Sequence, residues 1–115
     1  DIVKNYPIIG SKIVKYGLKN MGDSAFMEYA YEITRYYHER YDGTGYPEGL
    51  RGDAIPISAC IVALSALFNN FVRSYSNSED IRDAICRLSG SKFNPRIIES
   101  FKRVFDKLIS ASNGE

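Results

Sequence analysis

Apolar residues recur along most of this chain at steps of three and four, the spacing of an amphipathic α-helix. No stretch alternates apolar and polar residues as a half-buried strand does. The pattern predicts five helices: one opening at Tyr6-Pro7 towards Leu18, then about Ser24 to Arg40, about Pro56 to Arg73, a short one that follows Ser76-Asn77-Ser78-Glu79 and runs to about Leu88, and a last one opened by Asn94-Pro95. The predicted fold class is therefore all-α, a compact bundle of about five helices.

Capping residues suggest where these helices begin and end. Pro7 suits the first position of a helix, Asp23 or Ser24 suits the N-cap of the second, and Gly90 suits the left-handed end of the fourth. Further boundary signals are Met21-Gly22-Asp23 as the end of the first helix, Ser76-Asn77-Ser78-Glu79 as a capping box, and 110–115 as a frayed tail. The third helix is apolar on most sides, so it is predicted to be the central buried helix.

A turn-rich segment from Tyr41 to Pro56 separates the second and third helices, and we expect it to be ordered and non-helical. Its glycines, Gly43 and Gly45, permit a left-handed backbone and close approach of neighbouring chain. Asp42 can bond its own downstream amides, and Pro47 fixes the exit of Tyr46. Two interpretations stay open: a well-made structural turn, or a recognition surface centred on Tyr46.

Composition excludes some classes of function. The 115 residues carry a formal charge of +1 with no basic patch, which fits one domain and argues against duplex nucleic acid as a partner. Cys60 and Cys86 lie between apolar neighbours and are predicted to be reduced, buried side chains. With no apolar run of about 18 residues, no membrane span is predicted, and we expect a cytoplasmic protein. The chain starts at Asp1 without Met, so we expect it to be a piece of a longer protein.

The segment around the only histidine resembles a known signature. His38-Glu39-Arg40-Tyr41-Asp42-Gly43-Thr44-Gly45-Tyr46-Pro47-Glu48-Gly49-Leu50 resembles the HHExxDGxGYPxGL motif of HD-GYP domains, a branch of the HD phosphohydrolases. Three more segments match in order: Tyr6-Pro7-Ile8-Ile9-Gly10 resembles HPxxG, 51–64 resembles KGxxIPxxARIVAL, and 90–95 resembles GTHFDP. The resemblance covers Tyr6 to about Leu108 and implies that residues 1–115 are the C-terminal portion of an HD-GYP-type domain. The His-Asp pair that names the superfamily is absent from this sequence.

Active members of that family are metal-dependent phosphodiesterases for cyclic di-GMP, a chemistry that needs cations held by His and carboxylate ligands. The resemblance places four of the family's ligand positions in this chain, at Tyr6, Tyr37, His38 and Ala66. Alanine cannot bind metal, and a neutral tyrosine is a poor substitute for imidazole. His38 is thus the sole retained ligand position, unless it is simply a packed or hydrogen-bonded residue. We expect no cofactor, and iron or manganese only if the protein is an enzyme.

Other positions of the resemblance are changed as well. Lys92 and Asn94 replace the His and Asp of GTHFDP, and Arg73 is the one cation left in a stretch where active members carry several. The tyrosines of the second helix, Tyr37 among them, can equally be half-buried aromatics with hydrated hydroxyls.

The resemblance therefore implies a catalytically inactive regulatory or protein-interaction module of bacterial cyclic di-GMP signalling. It also implies a GGDEF-type protein partner at the loop, whose candidate residues are Asp42, Gly43, Gly45, Tyr46, Pro47 and Arg51. Two alternatives remain: a metal-dependent phosphodiesterase completed by upstream sequence, and a non-hydrolysing sensor of a cyclic dinucleotide.

Overall fold

The fold is built from five α-helices. The structure, a computed structural model, describes residues 2–17 and 24–113. The helices are α1 (Ile2–Lys12), continued by a π-helical turn (Ile13–Gly17), α2 (Ser24–Tyr36), α3 (Ile57–Ser74), α4 (Ser78–Cys86) and α5 (Pro95–Asn113). The described residues form no strand, only the isolated bridges Asp42 to Arg51 and Ser89 to Phe93. The all-α prediction is confirmed.

The predicted start of the first helix is wrong. Helix α1 begins at Ile2, and Pro7 is a buried residue inside it. A proline inside a helix removes one backbone hydrogen bond. Packing of α1 against α2 offsets this loss. The predicted end at Met21-Gly22-Asp23 lies outside the described residues.

Helix α2 begins at Ser24 as predicted but ends at Tyr36, four positions before Arg40. Tyr37 and His38 form a turn, and the Glu39 amide donates to the Tyr36 carbonyl oxygen at 3.0 Å. Glu39 is 5% exposed and points under the following loop. The early end of α2 therefore follows from tertiary structure, because Glu39 leaves the helix to bury its carboxylate.

The ends of α4 and α5 test the capping predictions. Asn77, and not a Ser76–Glu79 capping box, caps α4, since its side-chain oxygen accepts from the Asp80 amide at 3.0 Å. Helix α4 ends at Cys86, before the predicted Leu88, and Gly90 has the expected positive φ of 83° in the following turn. Asn94 caps α5 as predicted, because its Oδ1 accepts from the Arg96 amide at 2.9 Å. Helix α5 extends to Asn113 through the segment expected to fray, since its apolar spacing continues to Ile109.

The core lies between α4, α5 and the C-terminal half of α3. Its buried members are Ile81, Ile85, Phe93 and Ile98, with Leu67, Phe68 and Phe101 packed against them. The prediction that α3 is the central buried helix is wrong: Ala59 is its only buried residue among those described. Helices α2 and α4 pack against α3, and its exposed large apolar residues are Ile57, Ile61, Val62 and Val72. An open apolar groove of about 530 Å³ runs between α3 and α5.

Helix α3 also changes the expectation about membranes. It has 18 residues and a mean hydropathy of 1.4, so length and composition would allow it to cross a bilayer. Core helices of soluble proteins share these properties, and several apolar side chains of α3 pack into the core described above.

The two cysteines, Cys60 and Cys86, are unpaired and half-buried. Burial raises the pKa of the Cys60 thiol.

Candidate functional site

A single buried carboxylate organises the loop between α2 and α3. One oxygen of Glu39 accepts from the Glu48 amide at 2.8 Å, and the other accepts from the Leu50 amide at 2.9 Å. Both bonds are charge-assisted, which makes them stronger than bonds between neutral groups. Glu39 lies just before the loop, and its two bonds hold the last residues of the loop, Glu48 and Leu50, against the first. It is therefore a structural anchor of the loop.

The entrance of the loop is a turn held by Asp42. Asp42 Oδ1 accepts from the Thr44 amide at 3.0 Å and from the Thr44 hydroxyl at 2.6 Å. These bonds lower the pKa of the Asp42 carboxyl. Across the loop, Arg51 Nη2 donates to the Asp42 carbonyl oxygen at 3.1 Å, and Gly52 donates to the Tyr41 carbonyl oxygen at 2.9 Å. The sequence prediction that Asp42 bonds a downstream amide is confirmed.

Gly43 and Gly45 serve the two purposes expected of glycine, one each. Gly43 has a positive φ of 83°, a conformation that other residues adopt only with strain. At Gly45 an added Cβ would lie 2.5 Å from both the His38 carbonyl oxygen and the Arg40 amide nitrogen. The loop thus passes directly against the end of α2, leaving no room for a side chain at Gly45.

Three aromatic rings form a ladder at this junction. The Tyr37 and His38 ring centroids are 3.9 Å apart, and His38 stacks on Tyr46 at 4.8 Å with an interplanar angle of 18°. Burial, followed by the charge of Lys92, lowers the pKa of His38. Tyr46 is half-buried and precedes Pro47 through a cis peptide bond. Its ring is therefore neither a free surface anchor nor fully enclosed by the loop.

Helix α2 holds the far side of the loop through a polar cluster. Arg35 Nε donates to Glu48 Oε2 at 3.0 Å. This bond lowers the pKa of Glu48, and the nearby Tyr36 hydroxyl acts in the same direction to a smaller extent. The loop is thereby held at Glu48 by its side chain as well as by its backbone.

The turn before α5 packs against the loop through backbone bonds. Tyr41 donates to the Lys92 carbonyl oxygen at 3.1 Å, and Asp42 donates to the Ser91 carbonyl oxygen at 2.9 Å. Asn94 is buried, and its Nδ2 donates to Asp53 Oδ1 at 3.1 Å. An amide at position 94 can give this bond, whereas an ionised carboxylate there would repel Asp53. The Asp-to-Asn change relative to the family motif is thus matched by its surroundings.

The residues at the family's metal-binding positions do not fit a metal site. Tyr37 and His38 are neighbours in the ladder, but no hydrogen bond or ring contact within residues 2–17 and 24–113 joins them to Tyr6 or Ala66. Tyr6 is 59% exposed on α1, and Ala66 is exposed on α3. Within those same described ranges no group of three or more His, Cys, Asp or Glu side chains could hold an ion. The part of the chain that the structure describes therefore offers His38 without companion ligands.

With this geometry in place, comparison with known proteins identifies the family. A model of the HD domain family matches residues 2–96, and the chain belongs to that family. A cyclic di-GMP phosphodiesterase of Vibrio cholerae is 32% identical over 114 residues, covering 95% of this chain. A cyclic di-GMP phosphodiesterase of Thermotoga maritima is 35% identical over 109 residues, or 90% of this chain. The resemblance to the HD-GYP branch is confirmed.

A solved structure shares the fold. The crystal structure of the cyclic GMP-AMP specific phosphodiesterase V-cGAP3 of V. cholerae superposes with a TM-score of 0.73 at 24% identity, covering 95% of this chain and 23% of that one. The chain spans 23% and 28% of the lengths of the two curated relatives above.

Sequence reasoning missed the most important structural residue of the site, Glu39. The sequence did carry a signal for it, because Glu39 matches the Glu of the HHE motif. The pairing of Asn94 with Asp53 left no such signal, since 41 positions separate the two residues.

Proposed function

We propose that this chain is a catalytically silent regulatory module of cyclic dinucleotide signalling. One observation carries the proposal: three of the family's ligand positions hold Tyr6, Tyr37 and Ala66, while the loop between α2 and α3 keeps its anchoring bonds. Hydrolysis of a phosphodiester needs an activated water and a charge clamp, which metal ions supply together. Loss of the ligands removes both, whereas the loop depends on Glu39 and glycine and needs no metal.

The loop is the part of the module that we propose a protein partner contacts. Its inner side is occupied by Glu39, and its exposed residues are Thr44, Glu48, Gly49 and Arg51. A loop held by buried bonds and exposed on one side presents a preformed surface, which lowers the entropy cost of binding. A GGDEF-type domain is the partner proposed from the family resemblance.

A metal-dependent phosphodiesterase is the second candidate. The names of the V. cholerae and T. maritima relatives favour it, and His38 remains available as a ligand. The missing ligands would then have to come from other parts of the protein.

Metal content and turnover decide between these two candidates. The purified protein, incubated with cyclic di-GMP and either Fe²⁺ or Mn²⁺, is expected to hold no stoichiometric metal by elemental analysis and to release no linear dinucleotide above buffer by chromatography. Metal-dependent release that His38→Ala abolishes, and that Lys107→Gln leaves unchanged, would establish the enzyme instead. Lys107 is an exposed residue of α5 and serves as the control for substitution itself.

A further inference from the structure

The residues that the structure describes, 2–17 and 24–113, leave an apolar groove open between α3 and α5. Its volume is about 530 Å³. Three half-buried rings form its inner part, where Phe68 meets Phe101 and Phe105 edge to face at 6.2 Å each. Its outer part includes Ile61 and Val104, which are 52% and 57% exposed. Large apolar side chains exposed together are typical of a surface that binds another molecule.

The chemistry of the lining restricts what can bind in the groove. None of the lining residues is charged, and the polar ones are Ser65, Asn69 and Ser100. None of them belongs to the loop between α2 and α3. The groove therefore suits apolar side chains and not a phosphate or a metal ion, and it is separate from the candidate site described above.

Basic residues border the groove on both helices. Arg103 and Lys107 follow Ser100 by three and seven positions, so they lie on its face of α5. Arg73 follows Asn69 by four positions, so it lies on that residue's face of α3. All three cations are exposed, and none has an ion pair in the described part of the chain.

Few carboxylates balance these cations. Helix α3 contains no Asp or Glu. On α5, Asp106 accepts from Arg82 of α4 at 2.7 and 3.2 Å. Glu99, one turn before Arg103, is the only other carboxylate of α5. The border of the groove is therefore positive overall.

An acidic amphipathic helix is complementary to this surface. The side chains of such a helix at i, i+3, i+4 and i+7 form a ridge that fits between two helices. Acidic residues beside the ridge would meet Arg73, Arg103 and Lys107. A second copy of this chain would instead bring its own basic border against them, which is repulsive. A flat membrane surface would cover Ile61 and Val104 but leave the inner part of the groove empty.

We propose that the groove between α3 and α5 binds an acidic amphipathic helix of a partner protein. The helix places its apolar side chains over the rings of Phe68, Phe101 and Phe105, and its carboxylates beside the basic border. The inference goes beyond the proposed function, because it gives the chain a second interaction surface. It holds whether or not the protein hydrolyses a dinucleotide.

Fluorescence anisotropy with two labelled synthetic peptides tests the inference. Both peptides are alanine-rich helices of about 18 residues with leucine at i, i+3, i+4 and i+7, and they differ only in carrying glutamate or lysine beside the leucines. The glutamate peptide is expected to bind at least about tenfold more tightly than the lysine peptide. Its affinity should fall when salt rises from about 50 mM to about 200 mM, because ions screen exposed charges.

Variants of the protein assign the binding to the groove. Val104→Asn removes exposed apolar surface and should weaken binding of the glutamate peptide about tenfold. Arg103→Glu should weaken it about fivefold or more, whereas Arg103→Lys keeps the charge and should retain it. Glu28→Gln, an exposed change on α2, should bind as the wild type does. Circular dichroism checks the fold of each variant, and the comparison of the two peptides on the wild type decides even where a variant does not fold.

Three binding results overturn the inference: equal binding of both peptides, binding of neither, or unchanged affinity for the glutamate peptide in both Val104→Asn and Arg103→Glu. Sedimentation and vesicle flotation test the other occupants. If the chain alone forms a dimer that Val104→Asn disrupts, the groove binds a second copy. If the chain floats with phosphatidylserine vesicles yet binds neither peptide, the groove binds a membrane. Either result also overturns the inference.

Discussion

Replacing Glu39 with glutamine should strongly destabilise the protein. Each bond from the carboxylate to the amides of Glu48 and Leu50 is charge-assisted and contributes about 1.5–3 kcal/mol. Glutamine keeps one acceptor oxygen and turns an NH₂ group towards the second amide, so one buried donor loses its acceptor. We expect a loss of about 2–4 kcal/mol in the free energy of unfolding. A chain of 115 residues typically has about 6–17 kcal/mol in all.

Urea denaturation followed by circular dichroism measures this loss. The matched control is Glu28→Gln, because Glu28 is exposed on the same helix and should change stability by about 0.5 kcal/mol or less. Hydrogen exchange at the Leu50 amide gives a local readout, since that proton should exchange faster in Glu39→Gln. If Glu39→Gln unfolds at the same urea concentration as Glu28→Gln, Glu39 does not anchor the loop as described.

Two further predictions concern the loop. Tyr46→Ala should lower stability by about 1–2 kcal/mol, because it removes the ring stacked on His38, whereas Tyr46→Phe should keep most of that stability. A GGDEF-type partner should bind the folded fraction of Tyr46→Ala normally. If Tyr46→Ala leaves the melting curve unaltered but weakens partner binding, the ring is an interface anchor instead. The bond from Arg35 lowers the pKa of Glu48, so its stabilisation is present above the unfolded-state pKa of about 4.3 and is lost as pH falls through the folded pKa. Between about pH 5 and pH 3 the wild type should therefore lose more stability than Glu48→Gln does. The difference should be less than about 1 kcal/mol, because the Arg35–Glu48 pair is partly solvated. Equal losses in the two proteins would show that the pair contributes nothing.

The helices and the turn chemistry could be predicted from sequence because they depend on neighbouring residues. Periodicity located five helices, and Asn94 capped α5 as its side chain predicted. Gly43, Gly45 and Asp42 each had the backbone role that their chemistry allows. The family resemblance was also a property of sequence alone, since the motifs match in type and order.

Helix ends and burial could not be predicted in this way, because they depend on long-range contacts. Helix α2 stops at Tyr36 since Glu39 finds two amides nine and eleven residues further along the chain. Helix α3 has the composition of a central helix, yet its surroundings bury Ala59 alone among its described residues.

The same distinction between local and long-range causes applies to the candidate site. The sequence by itself determined which metal-ligand positions were replaced, because residue type decides whether a side chain can bind an ion. Only the tertiary structure decided what the remaining residues do. It placed the His38 ring between two tyrosines, paired the Glu39 carboxylate with backbone amides, and joined Tyr41 to Lys92 by a backbone hydrogen bond across 51 positions of sequence. Such juxtapositions follow from how the helices and the loop pack, and local sequence carries no signal for them.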